Sequence, residues 1–376
     1  MLASTPPMGW NSWNTFGYDI NEQLIKEIAD AMVAEGLKDA GYEYVVIDDC
    51  WSLMERDAQG RLVPDPEKFP SGMKALSDYV HSKGLKFGIY SCAGSKTCQM
   101  YPGSLDHEFI DAATFAEWGV DFLKYDYCFK PHDIDGKLLY RRMAMALRNC
   151  GRDILFSACN WGQDESYKWM RSAGAHMWRS TGDIQDNWES IKNIALSQLG
   201  QECYSGPYCF NDIDMLVVGM YGKGNVALGG CTDEEYKTHF SVWCFMNSPL
   251  MIGCDIRSMS PATKAILTNK ELIAINQDPE GRQAYTVFGW YNKNIIHYIK
   301  PLANGDYGIC SVNYGDKKAW AHLEFWDMGL PTLAGYGLEL RELWTGENLG
   351  VKTESFTTSI EPHSCKVYRA KVVKVK

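Results

Sequence analysis

Through roughly the first 280 residues, short β-branched and aromatic runs alternate with helical patterns, and this alternation limits the possible folds more than any other feature. A parallel strand needs a long crossover to reach its neighbour, so repeated strand and helix units specify a parallel α/β sheet. The runs are YEYVVIDD (42–49), KFGIYS (86–91), VDFLKYD (120–126), ILFSACN (154–160), AHMWRST (175–181) and FNDIDMLVV (210–218). PPMGWNSW (6–13) supplies a first strand and CFMNSPLMIGCD (244–255) a last one. Gly41, Gly84, Gly119, Gly151 and Gly174 stand where a helix ends and the chain must take positive φ. In the clearest helix, Leu24, Ile25, Ile28, Ala31 and Met32 share one face, while Glu22, Lys26, Glu27 and Asp30 take the other. Eight such units match a (β/α)8 TIM barrel. An open doubly wound sheet carries fewer and needs a phosphate loop near its start.

Beyond NKELIAINQDPEGRQA the helical spacing stops, and short alternating strands take over in YTVFGWY, NIIHYIK, YGICSVNY, LELRELW and HSCKVYRAKVV. The expected organisation is a catalytic barrel over residues 1–280 and a C-terminal antiparallel β-sandwich over 281–376. Its strands are read as carrying no cluster of exposed aromatics, so the sandwich is expected to brace the barrel.

Charge narrows the partners. Lys and Arg number 37 against 47 Asp and Glu, a net charge of −10 that repels phosphate backbones and anionic membrane surfaces. No apolar stretch approaches the ~20 residues of a membrane span. Nucleic acid and membrane are therefore excluded as partners at this stage, while oligomeric state stays unknown. MLASTPPM has neither a basic nor an apolar leader segment, no Asn-x-Ser/Thr acceptor occurs, and a cytoplasmic location is expected. Thirteen cysteines is an odd count, so at least one thiol is free or pairs with another chain.

In a barrel of this kind the active site lies where strands end. These ends are acidic and aromatic: Asp48-Asp49-Cys50-Trp51, Tyr90-Ser91-Cys92, Lys124-Tyr125-Asp126, Cys159-Asn160-Trp161, Arg179 to Asp183, and Asp212 to Met215. Glycoside hydrolysis needs two carboxylates flanking a ring acetal, aromatic rings suit the apolar face of a sugar, and paired charges suit its hydroxyls. Any one strand-end Asp could equally be a salt bridge or a helix cap, but several together point to a sugar pocket.

MGWNSWN, VIDDCW, GIYSCAG, LKYDYC, WRSTGD and NDIDML, in this order and at barrel spacing, resemble glycoside hydrolase family 27, which holds α-galactosidases and α-N-acetylgalactosaminidases. The resemblance spans essentially the whole chain. It implies a retaining exo-glycosidase that removes terminal α-galactose through a covalent glycosyl-Asp intermediate, with no metal or cofactor. Asp126 takes the position of the nucleophile and Asp183 that of the acid/base. Asp48 and Asp49 are implied at the 4- and 6-hydroxyls, Trp13, Trp51, Tyr90 and Met215 as pocket walls, and Arg179 on the 2-hydroxyl side. Lys124, on the same strand face as Asp126, is expected to hold the nucleophile ionised. Asp183 is expected to have a raised pKa, as an acid must. The resemblance also implies a disulfide between Cys98 and Cys128, although a cytoplasmic setting opposes one. Cys50 and Cys159 are expected free, since the matching partner positions hold Tyr18 and Ala175.

The sequence departs from the family pattern at CNWGQ, where many galactosidases carry Glu and the N-acetylgalactosaminidases a small residue. Asn160, with Trp161 beside it, is expected to border the sugar 2-substituent. Galactose is preferred because Asn160 and Gln163 exceed the small residues an N-acetyl group needs. α-N-acetylgalactosaminidase and β-L-arabinopyranosidase activities are the near alternatives. A catalytically dead, lectin-like barrel is the distant one, and the presence of both carboxylates opposes it. Asp212 and Asp214 are read as structural, and GKGNVA (222–227) lies too late in the chain for a dinucleotide loop.

Overall fold

The computed structural model describes residues 2–375. Eight parallel strands, β1 (Met8–Asn11), β2 (Tyr44–Val46), β3 (Lys86–Cys92), β4 (Phe122–Asp126), β5 (Leu155–Ala158), β6 (Met177–Arg179), β7 (Phe210–Asp212) and β8 (Leu250–Ile252), lie in the order 7-6-5-4-3-2-1-8. The ring closes just past β7. There the Leu216 N–H donates to the Met251 carbonyl at 2.8 Å, and the Leu216 carbonyl accepts from the Gly253 N–H at 2.9 Å. The barrel expected from the alternation is therefore present, and its strand ends share one mouth.

Helix Glu22–Ala34 buries Leu24, Ile25, Ile28, Ala29 and Met32. Glu22, expected on the wet face, is buried because its carboxylate pairs with Lys26 and accepts from the Ser71 N–H at 2.9 Å. The fifth helix shrinks to Met170–Ala173, preceded by a 3-10 segment over Gln163–Lys168. The eighth strand starts later than its apolar run: Cys244 and Phe245 end the helix Asp233–Phe245, and only Leu250–Ile252 is extended. A buried helix that passes into a buried strand offers no change of period to mark the boundary.

The C-terminal strands are β9 (Tyr285–Phe288), β10 (Ile295–Pro301), β11 (Tyr307–Asn313), β12 (Ala319–Glu324), β13 (Tyr336–Glu342), β14 (Asn348–Lys352), β15 (Ser355–Ile360) and β16 (Cys365–Lys374). Six form one antiparallel sheet, in the order 14-13-16-11-10-9, and β12 pairs with β15 alone. Period-two alternation gives the larger sheet two buried faces. Ile299, Ile309 and Tyr368 join Leu323, Phe325 and Phe356 in the sandwich interior, whereas Tyr298, Val312 and Val367 belong to the barrel's own core. The sandwich thus braces the barrel as expected. The ground given for that expectation fails, because Trp290, Tyr291, Trp320 and Trp326 all stand exposed on this domain. Among the described residues, no helix is long and apolar enough to cross a membrane.

Candidate active site

At the mouth of the barrel a cavity of about 300 Å³, the size of a small ligand site, is lined by side chains from nearly every strand end. Strand β4 carries Lys124 and Asp126 inward, while Tyr125 between them packs outward against Tyr140 and Phe156. Asp126 accepts from the Tyr90 hydroxyl at 3.0 Å and from the Tyr127 N–H at 2.9 Å. Burial pushes its carboxyl up to about 6. Lys124 and the Tyr127 N–H pull it down only in part, and the negative charges of Asp48 and Asp183 add to the rise.

Lys124 donates to Asp48 at 2.7 Å and makes no hydrogen bond to the Asp126 carboxylate. Asp48 also accepts from Asn11 Nδ2 at 2.8 Å, and its second oxygen accepts from the Asp49 N–H at 3.0 Å. Asp49 accepts from the Cys50 N–H at 2.7 Å and the Gln99 N–H at 3.0 Å, and burial raises its carboxyl to about 6. Burial alone would depress the Lys124 ammonium, yet Asp48 outweighs it and keeps the group protonated.

On the opposite wall, Arg179 donates to Asp183 at 2.7 Å and contacts Asp214 at 2.8 Å. Asp183 faces the open cavity, with its side chain 66% exposed. Partial burial would raise its carboxyl, but the Arg179 guanidinium holds it below the ordinary range. The expected raised pKa is thus reversed in the free protein, since the Arg179 cation sits on Asp183 rather than on Asp126. Asp214 is fully buried against Arg179 and raised to about 6, and it accepts from the Ile184 N–H at 2.7 Å. It lines the cavity, and its contacts with Arg179 and the Ile184 N–H accord with the structural reading made from the sequence.

Trp13, Asp48, Asp49, Tyr90, Lys124, Asp126, Trp161, Arg179, Asp183 and Met215 all face this one space. Trp51 and Asn160, both expected on its walls, do not. Cys50 takes φ 71° and turns the chain so that Trp51 packs against Phe115 and Trp118, its indole N–H donating to the Tyr90 carbonyl. Trp161 takes φ 56° and Gly162 φ 78°, which folds the Gln163 carbonyl back onto Asn160 Nδ2 at 2.7 Å. Asn160 is fully buried, and Trp161 takes the cavity wall in its place.

The cavity rim adds Asn14, Gln99, Gln185 and Asn225, which the sequence reading missed. Gln99 follows Cys98, whose disulfide with Cys128 is formed and ties the loop after β3 to the end of β4. Asn225 belongs to GKGNVA, which docks on the Asn14 carbonyl through the Asn225 and Val226 N–H groups at 2.8 and 3.2 Å. Gly224 permits that contact: its φ is 99°, and a Cβ there would lie 2.9 Å from the Thr15 Cα. Cys50 and Cys159 are free, as expected.

Five carboxylates, Asp48, Asp49, Asp126, Asp183 and Asp214, gather in one small barrel mouth among aromatic walls and carboxylate–cation pairs, an arrangement suited to a glycoside hydrolase. Residues 5–278 match the family described as Alpha galactosidase A, and residues 292–370 match the Alpha galactosidase C-terminal beta sandwich domain. The α-galactosidase of Cyamopsis tetragonoloba is 45% identical over 368 residues, which cover 98% of this chain and 86% of that one. The chain belongs to the α-galactosidase family, glycoside hydrolase family 27, and is a glycoside hydrolase with α-galactosidase activity. Among solved structures, α-galactosidase I of Mortierella vinacea superposes with a TM-score of 0.90 at 36% identity, covering 98% of this chain and 97% of its own. The Saccharomyces cerevisiae α-galactosidase with raffinose gives 0.88 at 31% identity, covering 99% and 98%.

Proposed function

We propose that the protein removes terminal α-linked galactose from oligosaccharides by double displacement, with Asp126 as nucleophile and Asp183 as acid/base. The supporting observation is the asymmetry of the two carboxylates. Asp126 lies at the buried floor of the cavity, fixed by Tyr90 and Tyr127, whereas Asp183 lies at its open edge, where a leaving group departs. A covalent intermediate needs the first placement and proton exchange with water the second.

In this reading the free enzyme holds its last dissociable proton nearer Asp126, and the substrate moves it. A sugar hydroxyl that accepts from Arg179 withdraws the cation from Asp183, while Asp214 retains it from behind. Asp183, covered by the aglycone, then rises and takes the proton, leaving Asp126 ionised for attack at the anomeric carbon. Loss of the leaving group forms the glycosyl ester. Asp183, now the base, activates water to cleave that ester and release the sugar with its α configuration. Asp48 and Asp49 accept from the 4- and 6-hydroxyls, Lys124 donates beside them, and Trp13, Tyr90, Trp161 and Met215 wall the ring.

Release of nitrophenol from the α-galactoside, the α-N-acetylgalactosaminide and the β-L-arabinopyranoside tests the assignment, with Asp126→Asn as blank. The α-galactoside should dominate, and the blank should be silent. Preference for either other sugar would overturn the pocket assignment. Turnover by Asp126→Asn would remove the nucleophile.

A further inference from the structure

We infer that the outer face of the C-terminal sandwich is a second carbohydrate site, which holds a neutral galactose-bearing polysaccharide while the barrel removes its terminal residues. The inference rests on the galactosidase reading for the identity of the sugar, and on the surface itself for the site. Strand β12 turns Trp320, His322 and Glu324 to one side by period two, and the strand partner β15 sets Ser359, Thr357 and Ser355 opposite them. Trp320 is 67% exposed. Tyr291, 81% exposed, stands 5.8 Å from the His322 ring. The strip continues past the strand end to Trp326, 57% exposed, and to Trp290, 54% exposed, whose rings meet at 81° with centroids 5.9 Å apart.

Two of these rings, Trp290 and His322, are held by hydrogen bonds. The Trp290 indole N–H donates to Asp327 at 2.6 Å, and His322 bonds Thr357 at 2.7 Å and Glu324 at 2.8 Å. Beside Trp326 lies a groove of about 640 Å³ lined by Glu324, Thr332, Leu333, Thr353 and Glu354. Aromatic faces fixed among carboxylate and hydroxyl acceptors suit a chain of sugars, whose rings stack and whose hydroxyls donate. Exposed aromatic patches with polar rims mark binding sites rather than ordinary surface. The other occupants fit poorly. Glu324, Asp327 and Glu354 repel polyanions and membranes, and an apolar protein face would have to strip water from all three carboxylates.

Native gel electrophoresis of the full chain carrying Asp126→Asn, in gels with and without dissolved galactomannan, reads this site directly. The protein should be retarded by galactomannan, and adding Trp290→Ala with Trp326→Ala should abolish most of the retardation. With active enzyme, the same pair of substitutions should leave kcat/KM on the nitrophenyl α-galactoside within about twofold, while lowering it on galactomannan by about tenfold, as expected when one point of attachment is lost. Trp290→Phe with Trp326→Phe should restore much of the loss, since a stacking face returns. Equal retardation of parent and Ala variant would overturn the proposal, as would a wild-type dimer in sedimentation that the Ala variant dissolves. Failure of the galactosidase reading itself looks different, because the small galactoside would then go uncleaved by every variant.

Discussion

At the residue scale the active site turns on which carboxylate holds the cation. Arg179 bonds Asp183, and Asp126 lies raised to about 6. In the proposed mechanism the pair Asp126 and Asp183 sheds its last proton near pH 6, and kcat/KM should fall as pH rises through that value, because no acid then remains for the leaving group. A profile flat from pH 5 to 8 would refute this. Asp214→Asn leaves Arg179 to Asp183 alone and pulls the acid lower still. It should cost about a hundredfold in kcat with little change in KM, and should shift the pH profile, which a merely structural loss would not do. Sequence reasoning placed most of this pocket because strand ends converge in a barrel whatever the loops do. It misplaced Trp51 and Asn160 because Cys50 and Trp161 adopt positive φ, which neither residue type favours and no local pattern announces. The Asp183 shift was misjudged for another reason: an ion pair between β6 and its own loop is invisible until the loop is folded.

At the element scale, the loop after β3 and the end of β4 act as one piece. Gly94 packs so tightly there that a Cβ would fall 2.0 Å from the Cys128 carbonyl, and the Cys98–Cys128 bond closes a separation of 30 residues. Loop-closure entropy for that length gives roughly 3–4 kcal/mol. Cys98→Ser with Cys128→Ser should lower unfolding stability by that order in denaturant titration and loosen Asp126, reducing kcat. Unchanged stability would show that packing alone holds the segment. The barrel strands were legible because buried β-branched runs between helical patterns have few other readings. Strands β12, β14 and β15 were not: Trp320 on an exposed face breaks the apolar-in, polar-out pattern, and β14 buries almost nothing.

For the whole molecule, the sandwich and barrel share a core, and Lys300 of β10 lies buried in it. Its ammonium is bonded to the Asn247 side chain and the Ile275 carbonyl, and burial depresses it to about 7. Between that value and the ordinary lysine range the unfolded chain binds a proton that the folded one does not, so Lys300 makes stability rise with pH from about 7 upward. Lys300→Met removes the titration. The melting temperature of the variant minus that of the wild type should therefore fall as pH goes from 6 to 9; a constant difference would contradict a neutral buried amine. The most direct test of the central claim is mass spectrometry of the protein after reaction with a slow fluorinated α-galactoside carrying a good leaving group. One fluorogalactosyl unit should appear on the peptide that contains Asp126 and vanish in Asp126→Asn. A label on Asp183, or turnover of natural substrate with inversion and no label, would contradict it.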